Sequence, residues 1–281
     1  MDKCGNNYLE LFLNSNAFRI MIEVKDLHKS FGEAHILKGI SATFEKGKTN
    51  LIIGQSGSGK TVFLKSLLGL HTPESGTILF DGRVYKNLNI EQKRELRTEI
   101  GMLFQGSALF DSLTVEENIM FPLKMFANQS KKEMLDRVNL VLERVNLLGS
   151  NRKFPAELSG GMQKRVAIAR AIVMNPKYLF CDEPNSGLDP QTATVIDNLI
   201  QEITDEYQMV TVVNSHDMNS VMEIGEKIIF LKDGHKAWEG TNKEMVVTDN
   251  EAIVNFVYSS NLFKKIREVY LKESKQKKDL I

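Results

Sequence analysis

Short apolar runs with strand-like alternation are interspersed with longer runs of helical period along most of this 281-residue chain. This alternation favours an α/β fold built on a central sheet. The runs that predict strands are residues 22–27, 49–53, 77–80, 100–104, 178–181, 209–213 and 227–231. Between residues 114 and 149 only helical patterns occur, and the pairs Thr114/Glu117 and Ser130/Glu133 form capping boxes that mark two helix starts. We predict a helical insert there.

The two ends of the chain lack this alternation. Residues 1–20 match no clear element and form an N-terminal extension, so we expect the fold to start near Met21, and whether Met1 or Met21 initiates the chain stays open. Residues 241–281 predict a C-terminal helical extension. In its last part Leu262, Ile266, Val269 and Tyr270 recur at helical spacing between basic residues. This amphipathic helix either packs on its own domain or binds a partner.

Composition limits the classes of function. Lys plus Arg and Asp plus Glu both total 36, so no overall basic field makes nucleic acid the expected partner. Two cysteines, Cys4 and Cys181, cannot form a disulfide framework, and Cys181 lies in a predicted core strand. Uncharged apolar runs fall short of the roughly 18 residues that cross a bilayer, and no secretory leader is evident. We expect a cytoplasmic protein with no nucleic-acid partner.

The segment "LIIGQSGSGKT" places G-x-x-x-x-G-K-T between a predicted strand and a predicted helix. Glycines in this context let backbone N–H groups and a helix N-terminus face phosphate groups. Lys60 would contact the outer phosphates, and Thr61 would bind Mg²⁺ through its hydroxyl. The predicted nucleotide-binding residues are Gly54, Gln55, Ser56, Gly57, Ser58, Gly59, Lys60 and Thr61.

Two adjacent carboxylates, Asp182 and Glu183, end the apolar strand in "KYLFCDEP". At the carboxyl edge of a parallel sheet, Asp182 can bind Mg²⁺ and Glu183 can orient or deprotonate an attacking water. We predict that Glu183 is catalytic and that Asp182 is a metal ligand.

A second glycine-rich corner occurs in "FPAELSGGMQKRVAIARAI", where Ser159, Gly160 and Gly161 precede a strongly helical run. A serine and bare N–H groups at a helix start form an anion site. Because the chain already has one phosphate-binding loop, we predict that two copies meet head to tail. Each would lend this corner to the ATP held by the other copy, and the closed dimer would be the catalytic unit.

At these residues the chain resembles the nucleotide-binding subunits of ABC transporters, over about residues 22–240. "LSGGM" matches their signature, "SGLD" at residues 186–189 their D-loop, and "NSHD" carries the switch histidine, His216. The resemblance implies a P-loop ABC ATPase domain at residues 21–240. It would have a RecA-like mixed sheet, an antiparallel β-subdomain and a helical subdomain at about residues 106–175.

The same resemblance implies roles for further residues. Phe31 would stack on adenine, and His216 would contact the γ-phosphate as a catalytic residue. Gln105 would take part in catalysis, belong to the Mg²⁺ site and sense a membrane partner. The apolar "GSALF" that follows Gln105 would form the floor of a groove for a partner's cytoplasmic helix. Asp189, with Pro190 behind it, would cap its own helix and contact ATP across the dimer.

A finer resemblance lies in "GMLFQGSALFDSLTVEENIMFPL", residues 101–123, which is similar to the ATPases of Mla and Mce-type phospholipid transport systems (MlaF-like ATPases). It implies ATP and Mg²⁺ as cofactors and phospholipid transport through a separate integral membrane permease, with an Mce-type lipid-binding protein in the complex. The subunit would sit on the cytoplasmic side of the inner membrane. Asn185 and Asn214 depart from the common ABC pattern, where threonine and valine are usual.

Two alternatives stay open at this point. The cargo could be that of an amino-acid importer or of a lipoprotein-releasing system, because this subunit does not touch the cargo. An ABC ATPase of DNA repair, chromosome maintenance or translation is the non-transport alternative. About a hundred residues separate Gly54 from Ser159, without sustained heptads, and this spacing argues against the coiled-coil types.

Overall fold

The computed structural model describes residues 21–258, 264–265 and 267–269. Of the predicted C-terminal amphipathic positions, Leu262, Ile266 and Tyr270 lie outside the described residues. Val269 has helical backbone and a half-exposed side chain. Of the helices in the described part, none has the length and apolar character that crossing a bilayer requires.

Ten strands in residues 21–258 form two sheets. A four-stranded antiparallel sheet has the order β2-β1-β4-β5, and a six-stranded sheet has the order β10-β9-β3-β8-β7-β6. The strands are β1 (Met21–Phe31), β2 (Ala34–Glu45), β3 (Lys48–Gly54), β4 (Ser75–Phe80), β5 (Arg83–Val84), β6 (Ile100–Leu103), β7 (Tyr178–Asp182), β8 (Val210–Asn214), β9 (Lys227–Lys232) and β10 (His235–Gly240). In the second sheet β10 runs antiparallel to β9, and the other pairs are parallel.

Helices cover both faces of the six-stranded sheet. They are α1 (Lys60–Leu67), α2 (Ile90–Thr98), α3 (Val115–Phe126), α4 (Lys131–Arg144), α5 (Gly160–Ile172), α6 (Pro190–Tyr207), α7 (Met218–Ile224), α8 (Asn242–Val247) and α9 (Glu251–Val257). Short 3₁₀ turns occur at Tyr85–Asn87 and Pro155–Glu157. Both predicted capping boxes are present, at the starts of α3 and α4.

The six-stranded sheet separates two apolar cores. Strands β3, β7 and β8 are buried on both faces, which explains their continuous apolar runs. Leu51 packs in the core that holds α3 to α7, whereas its neighbour Ile52 packs in the core under α1 and the four-stranded sheet. The sheet is therefore fixed from both sides, and its strand ends are held in register.

Each predicted strand is present, but the sequence patterns missed β2, β5 and β10. In β2 the period-two alternation breaks at Gly39, whose φ is 77°, and the pairing with β1 shifts register at three places. In β10 no residue is fully buried, so no apolar alternation exists to detect. Cys181 is buried in β7, and burial raises the pKa of its thiol well above the usual range, consistent with a core side chain.

Candidate functional site

Four strands of the large sheet end at the same edge because they run parallel. The loop after β3 carries the glycine-rich motif, and the loops after β8, β7 and β6 carry His216, Glu183 and Gln105. The carboxyl edge of such a sheet is the usual place for a ligand site in α/β folds. The fold thus brings together residues that are up to 162 positions apart in the chain, from Gly54 to His216.

The glycine-rich loop between β3 and α1 depends on glycine at two points. A Cβ added to Gly54 would lie 2.3 Å from the carbonyl oxygen of Leu231, so the backbone passes too close to β9 for a side chain. Gly59 caps α1 with φ of 101°, a left-handed conformation that favours glycine. The loop therefore exposes bare backbone at the N-terminus of α1, which suits an anion.

Lys60 is almost fully buried beneath this loop. Its ammonium donates hydrogen bonds to the carbonyl oxygens of Gly54 (2.9 Å) and Gln55 (3.1 Å). Burial lowers the pKa of Lys60, and the nearby carboxylates of Glu183 and Asp182 partly offset that effect. The hydroxyl of Ser58 is buried without a hydrogen-bond partner. Both groups are donors available to phosphate oxygens.

Glu183 and His216 form a pair beside the loop. His216 Nδ1 lies 3.0 Å from Glu183 Oε2, and both residues line a cavity of about 450 Å³. Glu183 has a left-handed φ of 48°, and its backbone N–H donates to the carbonyl oxygen of Asn214 at 2.9 Å. Left-handed backbone at a non-glycine residue is strained, and the bond to β8 holds it in place. The carboxylate is thus fixed next to an imidazole.

The predicted metal ligands are Asp182, Thr61 and Gln105, and the structure brings the first two together through Asn214. Asn214 Nδ2 donates to Asp182 Oδ1 at 2.6 Å and to Thr61 Oγ1 at 3.3 Å, so both oxygens lie around one atom. Among the described residues, no cluster of three or more His, Cys, Asp or Glu side chains is arranged to bind a metal ion. A carboxylate and a hydroxyl fit Mg²⁺ that completes its shell with phosphate oxygens and water.

Gln105 is exposed after β6 and joins the site through the loop after β7. Its side-chain amide donates to Ser186 Oγ at 3.3 Å rather than to Asp182 or Thr61. The ammonium of Lys164 in α5 donates to the backbone carbonyl of Gln105. The segment after it is also held by α5, because Arg170 donates to the carbonyl oxygens of Ser107 and Ala108, each at 2.7 Å.

Phe31, at the end of β1, has 47% of its surface exposed. The ammonium of Lys29 lies 5.0 Å from the ring centroid, and the ring of His71 packs edge-on at 5.1 Å. Lys29 is itself paired with Glu74 at 2.6 Å. The half-exposed ring offers a stacking surface for an adenine.

The serine-glycine corner lies at the start of α5, away from the glycine-rich loop in the sequence and on a different element. Ser159 caps the helix by accepting a hydrogen bond from the Met162 N–H at 3.3 Å. Ser159 and Gly160 are exposed, whereas a Cβ on the buried Gly161 would lie 2.5 Å from Thr192 Cγ2. Gly161 thus serves the packing of α5 against α6 as well as an exposed N-terminus.

Asp189 caps α6 as its position before Pro190 predicts. Its carboxylate accepts from the Thr192 N–H at 3.0 Å and from the Thr192 hydroxyl at 2.6 Å. These hydrogen bonds lower the pKa of Asp189. The side chain is exposed, so it can also contact a second molecule.

A buried polar cluster anchors the loop between Glu183 and α6. Asp197 in α6 is 2% exposed, and Asn185 donates to Ser220 of α7 at 2.9 Å. Burial raises the pKa of Asp197 to about 6, while hydrogen bonds from Ser220 and Asn185 act in the opposite direction and the nearby acids of α7 add to the rise. Asp197 Oδ1 and Asn185 Oδ1 lack hydrogen-bond partners, so a proton on the carboxyl would stabilise the cluster.

We expect Asp197→Asn to change how stability depends on pH. The folded pKa exceeds the ordinary value of 3.8, so the folded state binds this proton more tightly and stability falls as pH rises from about 4 to about 6. Ionisation of the buried Asp197 lowers the free energy of unfolding by at most about 3 kcal/mol, and this loss is complete above that pH range. Relative to wild type, the variant should gain free energy of unfolding between pH 4 and 7. Urea titrations across this range measure it, with Asp205→Asn on the exposed side of α6 as the matched control, and a constant difference would contradict the prediction.

Sequence reasoning did not identify Asn214 as a functional residue, nor the roles of Lys164 and Ser186. One signal was available for the first of these. An asparagine ends the otherwise apolar β8, and a polar side chain in a fully buried strand requires a partner. The partners themselves come from α1 and β7, so the sequence alone could not name them.

A family model described as ABC transporter matches residues 37–186. The chain belongs to the ABC transporter family. The predicted α/β P-loop ATPase fold, with its mixed sheet and helical subdomain, is thereby confirmed. The chain carries an ABC ATPase domain, and the reaction of this domain is the hydrolysis of ATP.

Several curated relatives are similar over most of the chain. The probable ribonucleotide transport ATP-binding protein mkl of Mycobacterium leprae is 38% identical over 235 residues, covering 84% of this chain and 67% of that protein. Protein TRIGALACTOSYLDIACYLGLYCEROL 3, chloroplastic, of Arabidopsis thaliana is 36% identical, covering 86% and 74%. The methionine import ATP-binding protein MetN of Clostridium tetani is 40% identical, covering 77% and 67%. The chain spans about two thirds of the length of the mycobacterial relatives.

Solved structures of an ABC transporter cassette are also similar to this chain. MJ0796, a bacterial ABC transporter cassette solved as a dimer, is 33% identical, covers 79% of this chain and 98% of its own, and has a TM-score of 0.71. The same cassette bound to ADP and Pi, in a post-hydrolysis state, is 32% identical with the same TM-score.

Proposed function

We propose that this chain is the ATP-hydrolysing subunit that powers phospholipid transport of the Mla and Mce type through a separate membrane permease. The observation that carries the cargo assignment is the segment at residues 101–123, whose Q-loop, apolar step and Phe121-Pro122-Leu123 resemble those systems. One relative that bears the name of a galactolipid adds support. An Mce-type lipid-binding protein would belong to the same complex, on the cytoplasmic side of the membrane.

The residues at the sheet edge divide the work of hydrolysis. Phe31 would stack on the adenine, and the loop from Gly54 to Thr61 would bind the phosphates, with Lys60 on the outer ones. Asp182 and Thr61 would hold Mg²⁺, which offsets negative charge on the phosphates when bound. Glu183 would orient and deprotonate the water, and His216, paired with Glu183, would contact the γ-phosphate. Gln105 would respond to the presence of Mg²⁺ at this site and change the position of the loop after β6, to which it belongs.

The catalytic unit proposed is a head-to-tail dimer. Ser159 and Gly160 are exposed at the start of α5, ahead of the buried Gly161, and Asp189 is exposed at the start of α6. Neither helix start contacts a phosphate site of its own chain among the described hydrogen bonds. A second copy would supply the nucleotide, as the dimeric structure of the similar cassette MJ0796 suggests.

The permease would bind a groove lined by residues of β6, the loop after β6, α3 and α5. The groove has a volume of about 450 Å³, and its lining includes Phe104, Phe110, Phe121, Phe126 and Met174. Four of these rings are more than a third exposed, and Phe110 packs on Phe121 at 4.9 Å between centroids. Exposed aromatic side chains in a concave surface suit the apolar face of a partner helix. Ala108 and Phe110, from the loop after Gln105, line this groove. The Gln105 side chain donates to Ser186, which lines the cavity that holds Glu183 and His216.

Other cargoes remain as a second candidate function. The MetN relatives favour an amino-acid importer, and the mycobacterial relatives are named for ribonucleotide transport. The ATPase residues do not distinguish these cargoes because none of them contacts the transported molecule. The cargo is therefore identified by the proteins and lipids that form a complex with this chain.

We expect the full-length tagged protein, purified from gently solubilised membranes of its own cells, to carry a permease, an Mce-type protein and bound phospholipid. Phe121→Glu should lower permease recovery about tenfold or more, because a charge would be buried in the apolar contact. Leu140→Glu, at an exposed leucine of α4 outside the groove, is the matched control. Quantitative mass spectrometry of proteins and lipids measures both.

The possible results test the cargo assignment and the docking site independently. A permease paired with an amino-acid receptor would overturn the phospholipid assignment and leave the ATPase intact. Equal permease recovery with Phe121→Glu and Leu140→Glu would overturn the groove. Recovery of no membrane protein at all by the wild-type chain would remove the transport proposal.

A further inference from the structure

Asn214 opens the "NSHD" segment that carries His216, and it had no predicted role of its own. It is the last residue of β8, which lies between β3 and β7, and its side chain is fully buried. In register it stands beside Ile52 on one strand and Asp182 on the other. Its side chain therefore sits between the strand that leads into the glycine-rich loop and the strand that ends in the two carboxylates.

Three hydrogen bonds from this one residue reach three functional residues. The amide Nδ2 donates to Asp182 Oδ1 at 2.6 Å and to Thr61 Oγ1 at 3.3 Å. The backbone carbonyl accepts from the N–H of Glu183 at 2.9 Å. An ionised carboxylate only accepts hydrogen bonds, so the bond to Asp182 fixes the amide with its nitrogen toward the site. The amide oxygen is buried and has no partner.

We propose that Asn214 is a positioning residue that sets Asp182 and Thr61 in place for the divalent cation that accompanies ATP. The inference rests on the proposed Mg²⁺–ATP site and adds to it a residue that touches neither the nucleotide nor the metal. One NH₂ group donates to both oxygens, so their separation is defined before the cation arrives. Groups that orient metal ligands in this way affect metal affinity by about 10- to 100-fold.

Asparagine supplies a donor that an apolar side chain such as valine, typical of the rest of β8, would lack. Valine has no donor, so Asp182 and Thr61 would have to be oriented by other groups or by the cation itself. A buried amide whose oxygen has no partner is costly in a strand core. The cost is consistent with selection for what the amide nitrogen does at the site rather than for stability of the strand.

The test measures cation binding directly. Full-length wild type, Asn214→Val and Thr211→Val are mixed with a non-hydrolysable ATP analogue and titrated with Mn²⁺, and free Mn²⁺ is read by electron paramagnetic resonance. We expect Asn214→Val to bind Mn²⁺ about tenfold or more weakly, while binding of the analogue without metal stays unchanged. Thr211→Val removes another buried hydrogen bond from β8, with the hydroxyl of Thr204 at 2.6 Å, and controls for strand damage.

Each outcome bears on the inference. An unchanged Mn²⁺ affinity in Asn214→Val, or an equal loss in Thr211→Val, would overturn it. If Asn214→Val fails to bind the analogue without metal, the same Mn²⁺ titration is made with Asn214→Ser, which lacks the amide but leaves space for water. An unchanged Mn²⁺ affinity in Asn214→Ser would then overturn the inference. Failure of wild type to retain Mn²⁺ with the analogue would instead overturn the proposed Mg²⁺–ATP site.

Discussion

Glu183→Gln is expected to lower the rate of ATP hydrolysis by about a hundredfold or more while ATP binding is retained. Glutamine has the size of glutamate and can adopt the same left-handed backbone at φ of 48°, so the loop should keep its shape. It cannot take a proton from water, and it replaces the carboxylate that faces His216 Nδ1 at 3.0 Å. Lys60 and the glycine-rich loop, the proposed phosphate-binding groups, are unchanged.

Steady-state phosphate release and equilibrium binding of a fluorescent ATP analogue measure the two properties separately. Glu99→Gln is the matched control, because Glu99 is also a partly buried carboxylate but lies at the opposite end of β6, paired with Arg83 and Lys177. Its hydrolysis rate should remain near that of wild type. Hydrolysis by Glu183→Gln at the wild-type rate would show that another group activates the water.

Ser159→Arg is expected to abolish the ATP-dependent dimer while each monomer still binds ATP. The serine is exposed at the start of α5, where the proposed second copy would place its nucleotide, and a long cation would fill that space. The substitution also removes a helix cap, which costs about 1 kcal/mol and should not unfold the domain. The variant is best made in the Glu183→Gln background, in which the ATP-bound dimer should accumulate.

Ser130→Arg supplies the control, since Ser130 caps α4 in the same manner and lies on another helix of the helical subdomain. Sedimentation velocity with and without ATP distinguishes monomer from dimer for both variants. A Ser159→Arg protein that dimerises with ATP would contradict the head-to-tail arrangement. Loss of the dimer in Ser130→Arg as well would attribute the effect to damage of the helical subdomain.

The sequence predicted those parts of the site that lie next to one another in the chain. Glycines that need positive φ, a lysine after them and two acids at a strand end are local patterns with a chemical reason. Both capping boxes and the Asp189 cap were predicted for the same reason. Each depends on hydrogen bonds within four residues.

Contacts between distant segments could not be predicted. The bonds from Asn214 to Thr61 and Asp182 join positions 153 and 32 residues apart, and the ammonium of Lys164 reaches a carbonyl 59 residues away. Strand β2 was missed because a glycine bulge at Gly39 shifts its inward side chains out of phase. Strand β10 was missed because it pairs on one side only and buries no side chain fully.

Helix α5 connects two surfaces that bind different molecules in the proposed transporter. Arg170, near the C-terminal end of α5, holds the backbone of residues 107 and 108 at the groove, and Ser159 caps the other end of the helix, whose 13 residues span about 20 Å. In the proposed transporter, a permease that shifts this loop would therefore shift the serine with it, because one helix holds both. Thermodynamic linkage then requires that nucleotide change the affinity for the permease by the same factor as the permease changes the affinity for nucleotide.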